Sequence, residues 1–428
     1  MTAPLDRALV PPALQDGAAL EALAQEHGTP LFVYDEDDLR SRCREYVANF
    51  GPDNVAYAGK AFLCTTMARL VADEGLHLDV ATGGELHVAL RAGFPSDRIL
   101  FHGNNKSAEE LRQALDAGVG RVVADSFDEL DRLESLAAGR SPWPDVLVRV
   151  TPGVEAHTHE FIETGTDESK FGFTAGDGVA RAAALRVARS PVLELAGLHC
   201  HIGSQIYVLE SYRLAMEIVV ALAAEIEAES GAPVRELNLG GGLGVRYLLD
   251  DPDHTVAEYA AMVRSACDAT VAAAGLARAP RLMVEPGRSI SGPAAITLYR
   301  VGTVKEIPGG RTYVAVDGGM SDNPRPVLYG AGYEAYLPAR IDEPRPLVCS
   351  IAGKHCEQGD LVVADARLPE GVRVGDLLAV PVTGAYGYAM ASNYNKVPRP
   401  AVVFVRDGTA RVVVRRETPE DLLRLDKP

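Results

Sequence analysis

Between residues 36 and 295 the chain alternates. Eight short β-rich runs, at 54–58, 77–81, 98–101, 120–124, 145–150, 195–200, 235–240 and 281–285, are separated by Ala-, Leu- and Glu-rich stretches such as SAEELRQALDAG and SFDELDRLESLAAG. These stretches carry apolar residues at helical spacing, begin on acidic or small residues and stop at glycine. The early spacing is about 20–25 residues per β–α unit, the repeat that a (β/α)8 barrel needs. Later units are longer, which points to insertions in the loops after strands five, six and seven. A doubly wound parallel sheet satisfies the same alternation and stays open as the alternative.

After residue 295 the texture changes. AITLYRVGTVKEI, TYVAVDGG, LVCSIAG, DLVVADAR, DLLAVPV, PAVVFVRDG and TARVVVRRE alternate or are β-branched, and Gly, Pro and Asp turns separate them. This predicts a mainly β domain, a sandwich or Greek-key barrel. Near the start, LFVYDEDDL is a strand signal running into an acidic helix start, and it is expected to pair with that domain. The expected organisation is therefore a barrel over 36–295 and a β domain made of 1–35 and 296–428.

Charge narrows the partners. Forty-two Lys and Arg against 59 Asp and Glu give a net charge of −17, which repels nucleic acids and anionic membranes but permits a local pocket for a small anion. No apolar run approaches the roughly 20 residues of a membrane span. The opening MTAPLDRALVPPALQDG has no basic region followed by an apolar run, as a secretory leader would. The six cysteines are scattered without a C-x-x-C pair, so reduced thiols in a cytoplasmic protein are expected.

The residues that carry chemistry fall at the predicted strand ends. Lys60 follows strand one in NVAYAGKAF, in mostly apolar company. Desolvation lowers an amine's pKa, and a neutral amine forms a Schiff base; a solvated surface lysine is the plain alternative. After strand six, GLHCHIGSQ places His199 and His201 on one side. With no acidic residue or third histidine at a ligating spacing, no metal is expected. The flat His201 ring suits stacking on an aromatic cofactor, and Ser204 could donate to a phosphate. Gly240, Gly241 and Gly242 follow strand seven and let backbone N–H groups approach an anion, although Val245 breaks a true G-x-G-x-x-G. Strand eight ends in MVEPGRS. Glu285 is a carboxylate able to keep a pyridine nitrogen protonated, and Arg288 follows a Pro-Gly turn; a salt bridge between the two is the alternative. A lysine, a stacking ring, a phosphate cradle and a carboxylate at one barrel mouth are what pyridoxal phosphate requires.

With these motifs assembled, the chain resembles the barrel-type (fold type III) pyridoxal-phosphate-dependent amino acid decarboxylases. YAGKAF, HCHIGSQ, NLGGGLGV, EPGRS, VDGGMSDNPRPVLYG, GKHCEQGD and GAYGYAMASNYN occur in the family's order over nearly the whole chain. The resemblance implies pyridoxal 5′-phosphate bound as a Schiff base to Lys60 and stacked on His201. It gives Ser204, Gly240–Gly242, Glu285, Pro286, Gly287 and Arg288 to the phosphate and pyridine nitrogen, and has Tyr386 touch cofactor and substrate. Arg288, Arg325, Tyr329 and Glu357 would hold substrate. Cys356 would be the proton donor, contributed across a homodimer interface. A thiol suits that task, since its ordinary pKa of about 8.5 is close to neutrality. Gln358 stands where the family often has a smaller residue, and Gly59 precedes the lysine; neither removes a functional group.

The implied reaction is decarboxylation of meso-2,6-diaminopimelate to L-lysine, the last step of lysine synthesis. The far end of that substrate carries a carboxylate and an ammonium, which Arg288 or Arg325 and Glu357 answer. Ornithine or arginine would need only an acidic partner, and an arginine there would repel their distal cation. Two other classes fit the motifs less well. A non-catalytic cofactor carrier would be a bare barrel, and a catalytically dead regulator would be expected to lack Lys60 or Cys356.

Overall fold

The computed structural model describes residues 3–154, 169–276 and 278–427. It divides into two compact units. One comprises residues 43–244 and 253–287; the other comprises 1–42, 245–252 and 288–428.

The first unit is a closed parallel barrel. Its eight strands are Ala56–Ala58, His77–Val80, Ile99–Phe101, Arg121–Ala124, Asp145–Thr151, Glu194–Cys200, Glu236–Asn238 and Arg281–Met283. Each pairs with the next in parallel, and Val55 bridges Val284 to join strand one to strand eight. The Ala56 N–H reaches the Val284 carbonyl at 2.9 Å and the Ala58 N–H the Pro286 carbonyl at 3.0 Å. That closure excludes the doubly wound alternative, in which the end strands remain edges. A short strand at Phe173–Thr174, which the sequence pattern did not anticipate, adds to strand five. The predicted insertion after strand five falls partly on 155–168, outside the described residues. After strand six the 21-residue helix Glu210–Ser230 accounts for the extra length.

Helix ends follow the local chemistry the sequence advertised. Ser107 caps Ala108–Ala117 in a capping box with Glu110, and Gly118 ends it in the left-handed conformation at φ +67°. Inside the strand ring Ala56, Leu100, Val123, Leu147, Ala196 and Met283 pack as one cluster. Strand side chains alternate, so the residue two places further on points the same way, toward the barrel mouth. Four of these interior residues are followed in that register by His102, Asp125, Arg149 and Glu285.

The second unit is mainly β. Its sheet runs Leu361–Leu368, Leu347–Ala352, Thr312–Val316, Ala295–Glu306, Leu31–Asp35, Ala401–Arg406, Thr409–Val414, with Leu377–Pro381 also on Ala295–Glu306. All seven predicted late strands form. The N-terminal strand Leu31–Asp35 pairs with them as expected, antiparallel to Ala295–Glu306 and parallel to Ala401–Arg406. Leu31, Val33, Ile296, Leu298, Ala379 and Val403 belong to its core, and Val245 and Tyr247 from the segment 245–252 pack into the same cluster. Among the described residues no helix is long and apolar enough to cross a membrane.

Candidate active site

Glu285 is the centre of the barrel mouth. It is buried, and strands three, six and seven each send it a nitrogen. His199 Nε2 hydrogen-bonds with Oε2 at 3.1 Å, Asn238 Nδ2 donates to Oε1 at 2.8 Å, and His102 Nε2 stands 2.9 Å from Oε1. Burial alone would raise the Glu285 carboxyl; the charges and hydrogen bonds of His102 and His199 outweigh it and hold the group well below the usual carboxylate range. Asp79, on strand two, lies 3.7 Å from His102. Burial pushes it up to about 6, with His102 opposing and Glu285 reinforcing. The mouth thus holds one firmly ionised carboxylate beside one that takes a proton near neutrality.

His199 therefore has the company the sequence reading found lacking. His102 and Glu285, brought from strands three and eight, place their ligand atoms and its own within 4.8 Å of one another. His102, Asp79, Asn238 and Arg149 were not singled out from sequence. For His102 and Arg149 the signal was a polar residue two places past the interior Leu100 and Leu147, at the strand's C-terminal end.

Lys60 sits in the 3-10 turn Gly59–Ala61 just past strand one, flanked by buried Ala58, Ala61 and Phe62. Its own side chain is exposed, which corrects the expectation of a desolvated amine: the turn lifts it clear of its apolar neighbours. It remains close enough to His201, Asp79 and Glu85 to act on each electrostatically. His201 is half-buried. Desolvation first, then the charges of Lys60, Arg149 and His199, push its pKa well below the usual histidine range, so the ring is neutral at pH 7.

The loops after strands six and seven zip together. The Ile206 N–H donates to the Gly242 carbonyl at 2.9 Å, and the Gly244 N–H to the Ile206 carbonyl at 3.0 Å. This sets Ser204 beside the glycine turn, where the Gly241 N–H donates to His201 Nδ1 at 3.2 Å. The turn tolerates only glycine. A Cβ on Gly241 would fall 2.2 Å from the Glu285 carbonyl oxygen; one on Gly242, at φ +112°, would fall 2.4 Å from that of Gly203. Pro286 and Gly287 line the closing seam, and a Cβ on Gly287 would meet that of Ala58 at 2.9 Å. A flat neutral ring, a side-chain-free turn of N–H groups and an ionised buried carboxylate fit a phosphorylated pyridine.

The second unit carries the remaining predicted residues. Arg288 Nη1 donates to the Tyr247 hydroxyl at 2.9 Å, and its guanidinium lies 4.7 Å from the Tyr386 ring centre. Tyr386 holds a left-handed φ of +59°. Arg325 is buried, donates to the Tyr333 hydroxyl and lies 4.7 Å over the Tyr247 ring. Among the described residues Arg325 has tyrosine partners and no carboxylate. Tyr329 ends the same short helix, Arg325–Tyr329, half-buried. Cys356 is the exposed one of the six cysteines. The residue before it, His355, anchors the loop through Ser321 Oγ at 2.8 Å and Asn395 Oδ1 at 3.1 Å, and Glu357 accepts from the Tyr394 hydroxyl at 2.6 Å.

A barrel with its glycine turn after strand seven and its ionised carboxylate after strand eight is the architecture of enzymes that hold a phosphorylated cofactor at the strand C-termini. Residues 36–292 match the pyridoxal binding domain of the pyridoxal-dependent decarboxylases. The diaminopimelate decarboxylase of Mycobacterium tuberculosis (strain ATCC 25618 / H37Rv) is 52% identical over 419 residues, covering 96% of this chain and 94% of its own. That of Bacillus subtilis (strain 168) is 50% identical over 410 residues, 95% of this chain and 93% of its own. The crystal structure of the Helicobacter pylori enzyme complexed with L-lysine superposes with a TM-score of 0.86 at 33% identity, over 95% of this chain and 99% of that one. The chain belongs to the diaminopimelate decarboxylase family of barrel-type pyridoxal-dependent decarboxylases.

Proposed function

We propose that Lys60, His201, Glu285, Arg325 and Cys356 divide the work of decarboxylating meso-2,6-diaminopimelate to L-lysine and CO2, the closing step of lysine synthesis. The chain is a carboxy-lyase with pyridoxal 5′-phosphate as cofactor. When bound, that cofactor supplies an electron sink for the pair left behind as CO2 departs. Lys60 would hold its aldehyde carbon, the neutral His201 ring its face, Ser204 and the Gly240–Gly242 turn its phosphate, with Pro286, Gly287 and Arg288 completing the phosphate side. Glu285, ionised and braced by three nitrogens, would keep the pyridine nitrogen protonated.

The observation that carries the substrate is Arg325. A buried guanidinium surrounded by tyrosines and paired with no carboxylate among the described residues stands ready for an anion, since an unpaired buried charge is costly. The distal carboxylate of an amino diacid answers it; ornithine has none. Glu357 would take the distal ammonium, while Arg288, Tyr329 and Tyr386 orient the substrate. Cys356 of the partner subunit would protonate the α-carbon, which makes the working form a homodimer. In this reading residues 36–295 bind cofactor, and 1–35 with 296–428 supply substrate contacts and the proton, in the cytoplasm, without nucleic acid or membrane.

The test is turnover by purified protein with added pyridoxal phosphate, offered meso-diaminopimelate, ornithine, arginine and lysine separately. L-lysine and CO2 from diaminopimelate alone are expected; CO2 only from ornithine would refute the role of Arg325. Mixing Lys60→Ala with Cys356→Ala protein should restore activity, because a mixed dimer holds one site with both residues intact. No restoration would exclude a shared site.

A further inference from the structure

Glu285 lies at the end of strand eight and Gly240 opens the turn after strand seven, and one fully buried side chain joins them. Asn238 donates from Nδ2 to Glu285 Oε1 at 2.8 Å and accepts the Gly240 N–H on Oδ1 at 2.9 Å. The Glu285 N–H returns to the Gly240 carbonyl at 2.8 Å, closing the ring of contacts. Its amide orientation follows from chemistry: an ionised carboxylate only accepts, and a backbone N–H only donates. His102 and His199 also face Glu285. Among the described residues Asn238 is the side-chain amide that donates to it, and an amide N–H stays a donor across the ordinary pH range.

We propose that Asn238 is a positioning residue for the cofactor, coupling the carboxylate that meets the ring nitrogen to the turn that meets the phosphate. This rests on the roles given above to Glu285 and Gly240–Gly242. An alanine at 238 removes both arms. An aspartate keeps the acceptor for Gly240 but sets a second carboxyl against Glu285, and two carboxyls in contact share a proton, which weakens the charge offered to the ring nitrogen.

The experiment is equilibrium dialysis of the full-length apoenzyme, as wild type, Asn238→Asp and Asn238→Ala, with two ligands. One is pyridoxal 5′-phosphate; the other is its benzaldehyde analogue, in which the ring nitrogen is a C–H. Wild type should prefer the nitrogen ligand by about ten-fold or more, the scale of one hydrogen bond to a charged group. Asn238→Asp should bind the analogue within about two-fold of wild type while its preference for the nitrogen falls by about ten-fold. Asn238→Ala should bind both ligands more weakly and show the same reduced preference. Equal losses for both ligands with the preference intact would make Asn238 a purely structural residue and overturn the proposal. A wild-type protein without any preference for the nitrogen would instead show that Glu285 is not its partner, and both readings would go together. Asn238→Asp keeps the test decisive if the alanine variant does not fold.

Discussion

At the N-terminal ends of the barrel strands, Arg121 donates to both Glu236 and Asp145, and Arg281 reaches Glu236 at 2.7 Å. At the C-terminal ends, two residues past Glu236 and four past Arg281, Asn238 and Glu285 are joined to each other, and Glu285 is joined to histidines rather than arginines. The lower ring matches carboxylates with cations that never lose their charge. Burial works against an ionised Glu236, but Arg121, Arg281 and Arg235 hold its pKa below the ordinary range. At Glu285 and Asp79 the upper ring matches carboxylates with imidazoles instead. One strand shows both behaviours. Burial first, with Arg281 adding to it, pushes His77 down to about 4, and Asp79 two residues on is pushed up to about 6. Position along the barrel thus decides whether a buried carboxylate meets guanidinium or imidazole.

The strongest way to break this contrast is at the mouth. Lys60→Ala should lower turnover by about a thousand-fold or more, while unfolding of the apoprotein shifts by no more than about 0.5 kcal/mol because the side chain is exposed. Lysine production and denaturant titration read the two numbers, and a variant with near-normal turnover removes Lys60 from the chemistry. At the other end Arg121→Met should cost about 3 kcal/mol by leaving Glu236 and Asp145 short of a partner. Its kcat at temperatures where it is folded should match wild type; a large loss of kcat would show that the lower ring is not purely structural.

A smaller effect is expected from Glu285→Gln, which keeps the shape and removes the charge. Turnover should fall by about a hundred-fold, with some loss of unfolding free energy because His102 and His199 lose their ionised partner, and a variant that loses stability but not rate would reverse the assignment of the upper ring. The smallest is in pH dependence. His77, depressed when folded, makes stability rise with pH between about 4 and its ordinary 6.5. Asp79, raised when folded, contributes most below its ordinary 3.8 and loses that contribution as pH rises through about 6. The two slopes oppose each other. Asp79→Asn should therefore make stability climb between pH 4.5 and 6, and His77→Gln should make it fall, each by on the order of 2 kcal/mol. Unchanged slopes in denaturant titrations would mean that neither group is buried as described.

Much of this was legible before folding. The eight β runs, the glycine stops and the late β-branched strands are local signals, written in neighbouring residues. Gly240–Gly242 and Glu285 stood out because glycine triplets and a lone carboxylate before Pro-Gly are local too. Lys60 was legible as a residue but not in its setting, since the lift of the Gly59–Ala61 turn into the open depends on three-dimensional packing. His102, Asp79 and Arg149 each look ordinary inside FHGN, LDVA and VRVT.

Local sequence set which elements form, in what order, and which residue types reach the strand ends, because hydrophobic period and capping act over a few residues. Folding in three dimensions set Glu285 among His102, His199 and Asn238 and enclosed Arg325 between Tyr247 and Tyr333. Apart from Arg325 and Tyr333, those residues lie far apart in the chain, and their charges take their values from the burial and neighbours that closure of the barrel and packing of the β core create.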